Sequence, residues 1–370
     1  MTHLKIAIIC QNYPPARFEG GISHYSALLA RRLVHMGHEV HAFTSSEFLE
    51  PIRDKASQFG VEITRIDGPW NHTTVATIKK LAERNKLDAV VLQYAPASYK
   101  TSFRIRWALT RFTCQKITAF HTLWGQGIDK LVALFLLVGS PKIIATNSEI
   151  MAILERHIPF LLRKTYWIPI GSNILVSNRV TAANDQSPPI VSFFGMIYPG
   201  KGLDMLLDVA EAVKNKGYQF QFKLIGGSII YHPAFHEEFL NKIRQKPLEG
   251  AVDYLGLLPA EEVSQWLQTS RFLFLPYDKG LSDRRGTYMA ALAHGKPVLT
   301  APPVVPMPFI KNGLHALWPE KGDVSNYAEL FIKLLTDNEL IRRLEQGAKG
   351  LSSCFTWERI ASELDLVLRM

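Results

Sequence analysis

The chain has 370 residues, enough for two domains that each bury a core of their own. A composition of 47% hydrophobic and 20% charged residues is that of a folded globular protein and excludes a disordered chain. The longest purely apolar run, Leu131–Val138, falls far short of the roughly 20 residues that span a bilayer. Three widely separated cysteines without a CxxC spacing favour reduced cytosolic thiols over a disulfide framework or a zinc site.

The net charge of +9 is unevenly distributed along the chain. Residues 1–175 hold 21 Lys and Arg against 12 Asp and Glu, a balance of +9, whereas residues 176–370 hold 21 of each. This asymmetry suggests that the first half meets an anionic partner, such as a phospholipid surface, a lipid-phosphate acceptor or a nucleic acid. Scattered, solvated lysines are the alternative explanation.

Short apolar runs alternate with helical patterns through the first half of the chain. The run Ile6–Cys10 predicts a first buried strand, and apolar residues at spacings of three and four then predict a helix that ends at Gly37. Further strands are predicted at Glu39–Thr44, Leu87–Gln93, Lys116–Phe120 and Lys142–Thr146. This βαβ rhythm indicates a parallel sheet with helices on both faces.

The rhythm restarts after a polar stretch, Val176–Pro189, which ends in two prolines and is predicted to be a linker. Later strands are predicted at Ile190–Gly195, Phe220–Ile225, Phe272–Leu275 and Pro297–Thr300, with helices beginning near Gly202 and after Pro259. We therefore expect an α/β protein of two doubly wound, Rossmann-like domains, residues 1–175 and 190–355, that face a central cleft. Ligands of such sheets bind beyond the carboxyl ends of the strands, so the loops there are the candidate sites.

The stretch GLSDRRGTYMAALAHGKPV, residues 280–298, is the most informative part of the sequence. A polar loop with Ser282, Asp283, Arg284 and Arg285 precedes a helix of small residues that opens at Gly286 and Thr287. A helix start offers unpaired backbone N–H groups and the positive end of the helix dipole. Two guanidinium groups placed just ahead of it are suited to bind a phosphate or a diphosphate.

This stretch resembles the donor-binding loop of glycosyltransferase family 4, the retaining GT-B enzymes, whose pattern ends in E-A-x-A-x-G-x-P-V. The family usually has two glutamates eight positions apart here, and Ser282 and Ala290 stand at those positions in this chain. In the family the first glutamate contacts the sugar and the second contacts the ribose. The resemblance implies that Ser282 or Asp283 serves the sugar, whereas Ala290 cannot replace the second glutamate.

The segment FFGMIYPGKGLD, Phe193–Asp204, resembles the family's G-R-x-x-x-x-K-G loop. Lys201 matches the lysine that neutralises the donor diphosphate, whereas Met196 stands where an arginine is usual. A thioether binds no phosphate, so we expect Arg284 and Arg285 to replace the missing charge. A lysine on an ordinary surface turn is the alternative.

Two glycine pairs also match the family pattern. Gly20 and Gly21 open the first long helix and resemble the family's GG-I-x-x-Y segment, which faces the donor phosphates and the acceptor. A tight turn is the alternative, and the absence of G-x-G-x-x-G argues against a dehydrogenase. Gly226 and Gly227 follow a predicted strand and suit the close approach of a nucleotide.

His121, at the end of a predicted strand, resembles the family's cleft histidine, which touches the transferred sugar. Because histidine titrates near neutrality, it suits either donation to a sugar hydroxyl or stabilisation of the departing phosphate; a buried structural histidine is the alternative. His24 and His294 lie within helical patterns and are interpreted as structural. Thr146-Asn147-Ser148-Glu149 follows the family pattern and is equally a helix cap. In all, the resemblance covers nearly the whole chain, including a last helix, residues 356–370, that packs back on the first domain.

The sequence thus predicts a cytoplasmic retaining glycosyltransferase with Lys201, Arg285 and His121 at its catalytic centre. It would move a sugar from a nucleotide-sugar donor of the UDP or GDP type to a glycan or lipid-linked acceptor, in cell-surface polysaccharide or glycolipid synthesis. No cofactor and no metal are expected, because fixed cations and helix N-termini would stabilise the leaving diphosphate. The alternatives are a non-catalytic GT-B scaffold and a nucleic-acid-binding module, although no nucleic-acid partner is expected.

A peripheral contact with the inner face of the membrane is also considered, through the basic N-terminal domain. Residues 103–116 interleave apolar and basic side chains, but the apolar ones fall on all sides of a helical projection. This distribution favours burial against the sheet over a membrane-surface helix.

Overall fold

The computed structural model describes residues 3–16, 20–45, 56–66, 68, 70–96, 99, 112–123, 128–179, 188–227, 232–245 and 248–370. The chain divides into two compact units. The first comprises Met1–Asn173 together with Trp357–Met370, and the second comprises Ile174–Thr356. The C-terminal end of the chain therefore belongs to the first unit.

The predicted linker, residues 176–189, is described only near its two ends. The N–H of Ser177 donates to Oγ of Ser264 at 2.8 Å, and its carbonyl oxygen accepts from Nε2 of Gln268 at 2.9 Å. These hydrogen bonds attach the start of the stretch to the second unit. Residues 180–187 lie outside the described part of the chain.

Strands and helices alternate in the first unit. Its strands are β1 (Lys5–Ile9), β2 (Glu39–Ser45), β3 (Ala56–Gln58), β4 (Val61–Ile66), β5 (Ala89–Tyr94), β6 (Gln115–Phe120), β7 (Lys142–Ala145) and β8 (Thr165–Trp167). Its described helices are α1 (Gly21–His35), α2 (His72–Arg84), α3 (Ile128–Gly139), α4 (Ser148–His157), a 3-10 helix (Pro159–Lys164) and the C-terminal helix (Trp357–Arg369).

The described strands of the first unit form one sheet in the order β3-β4-β2-β1-β5-β6-β7-β8. All neighbours are parallel except β3 and β4, and Ile6 of β1 pairs with Val40 on one side and Ala89 on the other. The central strands are apolar on both faces because helices cover both. α1 and the C-terminal helix pack on one face, while α2, α3 and α4 pack on the other.

The C-terminal helix completes the core of the first unit. Ile360 and Leu364 are 0% and 1% exposed, and Nε1 of Trp357 donates to the carbonyl oxygen of Ser172 at 2.8 Å. Nε2 of His38 lies 3.2 Å from the Asp365 carboxylate, which ties the helix to the region between α1 and β2. No helix within the described ranges is both long and apolar enough to cross a membrane.

The second unit contains the strands β9 (Ile190–Phe194), β10 (Gln221–Ile225), β11 (Val252–Gly256), β12 (Phe272–Leu275) and β13 (Val298–Thr300). Its described helices are α5 (Leu203–Asn215), α6 (Pro233–Ile243), α7 (Ala260–Thr269), α8 (Gly286–Ala293), α9 (Val324–Thr336), α10 (Asn338–Ser352) and a 3-10 helix (Ser353–Phe355). The strands form a parallel sheet in the order β11-β10-β9-β12-β13.

Aromatic side chains from three elements form the centre of the second unit. The ring of Phe331 on α9 lies 5.0 Å from that of Phe220 and 4.9 Å from that of Phe272. All three side chains are at most 2% exposed. Because β9 pairs in parallel with both β10 and β12, the carboxyl ends of the three strands lie at one edge of the sheet.

Both units are thus α/β folds with largely parallel sheets, as the sequence predicts. Every strand predicted from an apolar run is present, with its ends within two residues of the predicted ones. The sequence analysis missed β3, β4, β8 and β11, which are short or only partly buried.

Candidate active site

Three loops of the second unit meet at the carboxyl edge of its sheet. The N–H of Gly195, just after β9, donates to the carbonyl oxygen of Ile225 at 2.9 Å. A Cβ atom on Gly226 would overlap the carbonyl oxygen of Gly195, and one on Gly195 would lie 3.6 Å from Cγ2 of Thr287. Glycine at these positions lets the loops after β9 and β10 pack against each other and lets the first of them approach the start of α8.

Lys201 lies in the loop between β9 and α5, between two glycines with left-handed backbone. Gly200 has φ of 91° and Gly202 has φ of 72°. Gly202 also packs directly on the carbonyl group of Pro276, the residue after β12. Nζ of Lys201 lies 4.9 Å from the centre of the Tyr198 ring. The lysine is therefore held on a tight turn beside the loop that follows β12.

The two arginines lie just before α8. The N–H of Arg285 donates to the carbonyl oxygen of Ser282 at 3.0 Å, which closes a turn, and Arg284 is exposed. The Arg285 guanidinium stacks 4.5 Å above the ring of Tyr277, and Nη2 donates to the Gly280 carbonyl oxygen at 3.4 Å. Nε of Arg285 is buried and has no hydrogen-bond partner in the described part of the chain. A buried donor of this kind has unused capacity for an anion.

The first turn of α8 is suited to an anion as well. No side chain caps its N-terminus, and the first turn contains no acidic residue. Oγ1 of Thr287 is hydrogen-bonded to the hydroxyl of Tyr277 at 2.6 Å, and a Cβ atom on Gly286 would meet nothing within 4 Å. The free N–H groups of this turn thus lie next to open space.

Ser282 and Ala290, which stand at the positions of the two family glutamates, are buried, as is Asp283. Ser282 and Asp283 are 1% and 0% exposed, and Ala290 is 0% exposed inside α8. In this conformation the loop presents Arg284, rather than Ser282 or Asp283, to solvent. A contact of Ser282 or Asp283 with a sugar therefore stays a prediction.

Gly226 and Gly227 have both a structural and a potential binding role. The carbonyl oxygen of Gly227 accepts from the N–H of Ile197 at 2.9 Å. A Cβ atom on Gly227 would lie 3.4 Å from the side chain of Leu257 and 3.8 Å from Cε of Met196. Leu257 is 78% exposed, so an apolar surface flanks this glycine.

In the first unit, Gly20 and Gly21 form the start of α1. Both are exposed, and a Cβ atom on either would meet nothing within 4 Å. Gly20 is the N-cap, and no side chain caps the helix. The start of α1 is therefore uncapped and exposed, and binding of a phosphate there stays a prediction. Glu19 lies outside the described residues.

His121 follows β6 and is held on several sides. Its N–H donates to the Tyr94 carbonyl oxygen at 2.9 Å, and its carbonyl oxygen accepts from Nδ2 of Asn147 at 3.1 Å. Its Nε2 lies 2.8 Å from Oε1 of Gln93, and its ring packs edge-on against Tyr25 at 4.9 Å. Asn147 also caps α4 through its bond from the Ile150 N–H.

The expectation that His121 titrates near neutrality is wrong. Burial disfavours the charged imidazolium and lowers the pKa of His121 from 6.5 to about 3. At physiological pH the ring is neutral, so it cannot stabilise a departing phosphate as a cation. His294 is structural, as predicted: its ring nitrogens lie 2.8 Å from Oγ of Ser264 and 2.7 Å from the Ala290 carbonyl oxygen.

The structure thus places Lys201, Arg285 and the two glycines after β10 on adjoining loops of the second unit, with Thr287 beside them in the first turn of α8. Gly20, Gly21 and His121 lie in the first unit. The sequence analysis missed Tyr277, the platform under Arg285, and Gln93, the neighbour of His121. The only sequence signal for Gln93 is a polar residue at the end of the apolar run AVVLQY. Residues 103–111 of the aromatic and basic stretch lie outside the described residues.

Two family models match successive parts of the chain. The model described as Glycosyltransferase Family 4 matches residues 19–174, and the model described as Glycosyl transferases group 1 matches residues 188–337. An uncharacterised glycosyltransferase of Methanocaldococcus jannaschii is 27% identical over 252 residues, which are 66% of this chain and 66% of that protein, just under two thirds of its length.

Solved structures share the fold across the whole chain. A glycosyltransferase from Rickettsia africae superposes with a TM-score of 0.79 at 14% identity, covering 100% of this chain and 98% of that one. Anabaena HepE in complex with UDP and glucose superposes with a TM-score of 0.77 at 14% identity, covering 99% and 100%. The chain belongs to glycosyltransferase family 4 and has the GT-B fold.

Proposed function

We propose that this protein is a retaining glycosyltransferase that moves a hexose from a nucleoside-diphosphate donor to the hydroxyl group of an acceptor. The observation that carries the proposal is Arg285. Its guanidinium is fixed on the Tyr277 ring and keeps a buried, unused Nε–H among the described residues, beside the uncapped start of α8. This arrangement suits a bound diphosphate better than a purely structural arginine.

In the proposed reaction, negative charge develops on the diphosphate that the second unit binds. When the bond from the anomeric carbon to the diphosphate breaks, charge accumulates on the leaving diphosphate oxygens. Lys201, Arg284, Arg285 and the N–H groups of α8 would stabilise this charge. Since these groups supply the positive charge themselves, we propose that the reaction needs no metal and no cofactor.

A UDP-type donor is the first to test, because HepE, which shares the fold, was solved with UDP and glucose. Gly226, Gly227 and the apolar surface of Met196 and Leu257 beside them would border the nucleotide. The excess positive charge of residues 1–175 favours an anionic acceptor, such as a lipid-linked or polysaccharide precursor. We propose a cytoplasmic protein acting in cell-surface polysaccharide or glycolipid synthesis, with peripheral membrane contact through this basic half.

A second candidate function is a non-catalytic GT-B scaffold of a glycan pathway. It is favoured by Ser282 and Ala290, which replace the two family glutamates and are both buried. A scaffold whose donor site has been lost would have no need to keep Lys201 and Arg285 in place.

Calorimetric titration with UDP and with GDP separates the two functions. An enzyme should bind one of them with a dissociation constant between about 1 µM and 1 mM, the usual range for enzyme substrates. A screen of nucleotide sugars, which follows nucleotide release with and without candidate acceptors, then identifies the donor. Absence of binding to both nucleotides, together with absence of release, would favour the scaffold.

A further inference from the structure

Tyr277 is a buried side chain that contacts two of the predicted donor-binding residues. The centre of its ring lies 4.5 Å from Cζ of Arg285, and its hydroxyl lies 2.6 Å from Oγ1 of Thr287. Tyr277 is 2% exposed, whereas Arg285 and Thr287 are half-buried. A single tyrosine thus joins the guanidinium before α8 to a hydroxyl group in the first turn of that helix.

The backbone around Tyr277 fixes the position of its ring. Its N–H donates to the Leu275 carbonyl oxygen at 2.9 Å, and its carbonyl oxygen accepts from the N–H of Gly280 at 2.9 Å. The resulting turn contacts Arg285 at both ends, through the Tyr277 ring and through the Gly280 carbonyl oxygen, which accepts from Nη2. These contacts leave Nε, which is buried and has no partner among the described residues, as a donor for a ligand.

The hydrogen bond between the two hydroxyl groups can run in either direction, and burial favours one of them. Within the described ranges, the hydroxyls of Tyr277 and Thr287 have only each other as hydrogen-bond partners. If Thr287 were the donor, the phenol hydrogen would stay unpaired in a buried position, which is costly. With Tyr277 as the donor, the unused hydrogen belongs to the half-buried Thr287 instead.

Two further observations support Tyr277 as the donor. Burial raises the pKa of Tyr277 to about 12, so the phenol keeps its hydrogen at neutral pH. A threonine in a helix commonly donates to a carbonyl oxygen three or four residues earlier, but Thr287 makes no such bond with the described residues. The Thr287 hydroxyl hydrogen is therefore available to a ligand at the start of α8.

We propose that Tyr277 is a positioning residue for diphosphate binding. Its ring holds the Arg285 guanidinium with Nε–H directed at the ligand, and its hydroxyl donates to Thr287, which donates its own hydrogen to a phosphate oxygen. The inference rests on the proposed function, because the ligand is the diphosphate of the donor. Every group in this set belongs to the second unit.

Calorimetric titration of the full chain with UDP, GDP and inorganic pyrophosphate tests the role of the hydroxyl. Tyr277→Phe keeps the ring and should weaken binding by about three- to tenfold, the effect of one hydrogen bond, as should Thr287→Val. The double variant should bind no more weakly than Thr287→Val alone, because the two hydroxyls act in series. Thr287→Ser, which keeps a hydroxyl, should recover most of the affinity.

The matched control is Tyr327→Phe, which removes the hydroxyl of another buried tyrosine in the second unit. This variant should bind as the wild type does. Wild-type affinity in Tyr277→Phe, or additive effects of Tyr277→Phe and Thr287→Val, would overturn the proposal.

Nitrogen-15 NMR of arginine-labelled protein tests the role of the ring without any ligand. The Nε–H signal of Arg285, assigned from its loss in Arg285→Lys, should be shifted upfield by the Tyr277 ring. The shift should persist in Tyr277→Phe and disappear in Tyr277→Leu, which should also bind more weakly than Tyr277→Phe. A signal without this shift in the wild type, or an unchanged signal in Tyr277→Leu, contradicts the proposal.

Circular dichroism establishes whether each variant is folded. If Tyr277→Leu does not fold, the affinities of Tyr277→Phe and Thr287→Val decide the matter. If the wild type binds neither nucleotide nor pyrophosphate, the proposed function fails, while the NMR spectra still decide whether Tyr277 orients Arg285.

Discussion

The backbone of Gly202 packs so closely on Pro276 that a Cβ atom at position 202 would overlap the proline carbonyl oxygen. Gly202 is the residue after Lys201 and the N-cap of α5, and Pro276 follows β12 and precedes Tyr277, the ring under Arg285. The contact therefore joins the loop that bears the lysine to the loop that leads to the arginines. Two segments 70 or more residues apart in the sequence are brought into contact in this way.

Gly202→Ala should destabilise the second unit and weaken nucleotide binding. Gly200→Ala is the matched control, because Gly200 also has positive φ but has nothing within 4 Å of an added Cβ. Gly200→Ala should cost about 1–2 kcal/mol for the left-handed backbone alone. Gly202→Ala should cost about 1–3 kcal/mol more from overpacking. Chemical unfolding measures both, and equal losses in the two variants would refute the tight contact.

Lys201→Ala should weaken binding of the nucleoside diphosphate by about tenfold to a hundredfold, since a charge-assisted contact is lost. Lys216→Ala, at an exposed lysine after α5, is the control and should bind as the wild type does. Calorimetry with UDP and GDP measures the affinity, and turnover of the donor should fall in parallel. Equal affinities of the two variants would remove Lys201 from the site.

Arg285→Ala should weaken nucleotide affinity by about 1–3 kcal/mol through the loss of a charge-assisted hydrogen bond. Arg285→Lys should recover only part of the affinity, because a lysine keeps the charge but neither stacks on Tyr277 in the same way nor offers a planar fork. Arg342→Ala, at an exposed arginine of α10, is the control. Wild-type nucleotide affinity in Arg285→Ala would indicate that the guanidinium only stabilises the loop at Gly280.

The fold follows from the sequence where strands are apolar along their whole length. Phe272–Leu275 is buried throughout and is predicted at its observed bounds. By contrast, β11 is mostly half-exposed and β8 has only three residues, so neither forms an apolar run. Sequence reasoning detects strands that are buried along their length, including the three-residue edge strand β13, and misses strands that are only partly buried, whose pairing depends on neighbours distant in the chain.

Sequence reasoning predicts which residue types form the candidate site. It does not predict the environment of each side chain in the folded protein. Lys201 and Arg285 stand out because a cation beside glycines at a loop suits a phosphate. The neutrality of His121 cannot be read from its neighbours in sequence, because the desolvation comes from packing within the folded first unit. Likewise, nothing in the sequence pairs Gln93 with His121, 28 residues later. Tertiary packing alone supplies that contact.

Acid should destabilise the first unit partly through His121. Its folded-state pKa is about 3, against about 6.5 in the unfolded chain, so below pH 6.5 the unfolded state binds more protons. The free energy of unfolding should therefore fall as pH decreases, by about 1.4 kcal/mol per pH unit from this group. His121→Gln should flatten the curve between pH 6 and about 4. His157→Gln, at an exposed histidine, is the control substitution.

The most direct measurement of the donor site is a double-mutant cycle for nucleotide binding with Lys201→Ala, Arg285→Ala and the double variant, using UDP or whichever nucleotide binds. If both cations hold one diphosphate, their effects should be non-additive, with a coupling free energy of at least about 0.5 kcal/mol. Effects that add within experimental error, or a double variant that binds as well as the wild type, would contradict a shared site.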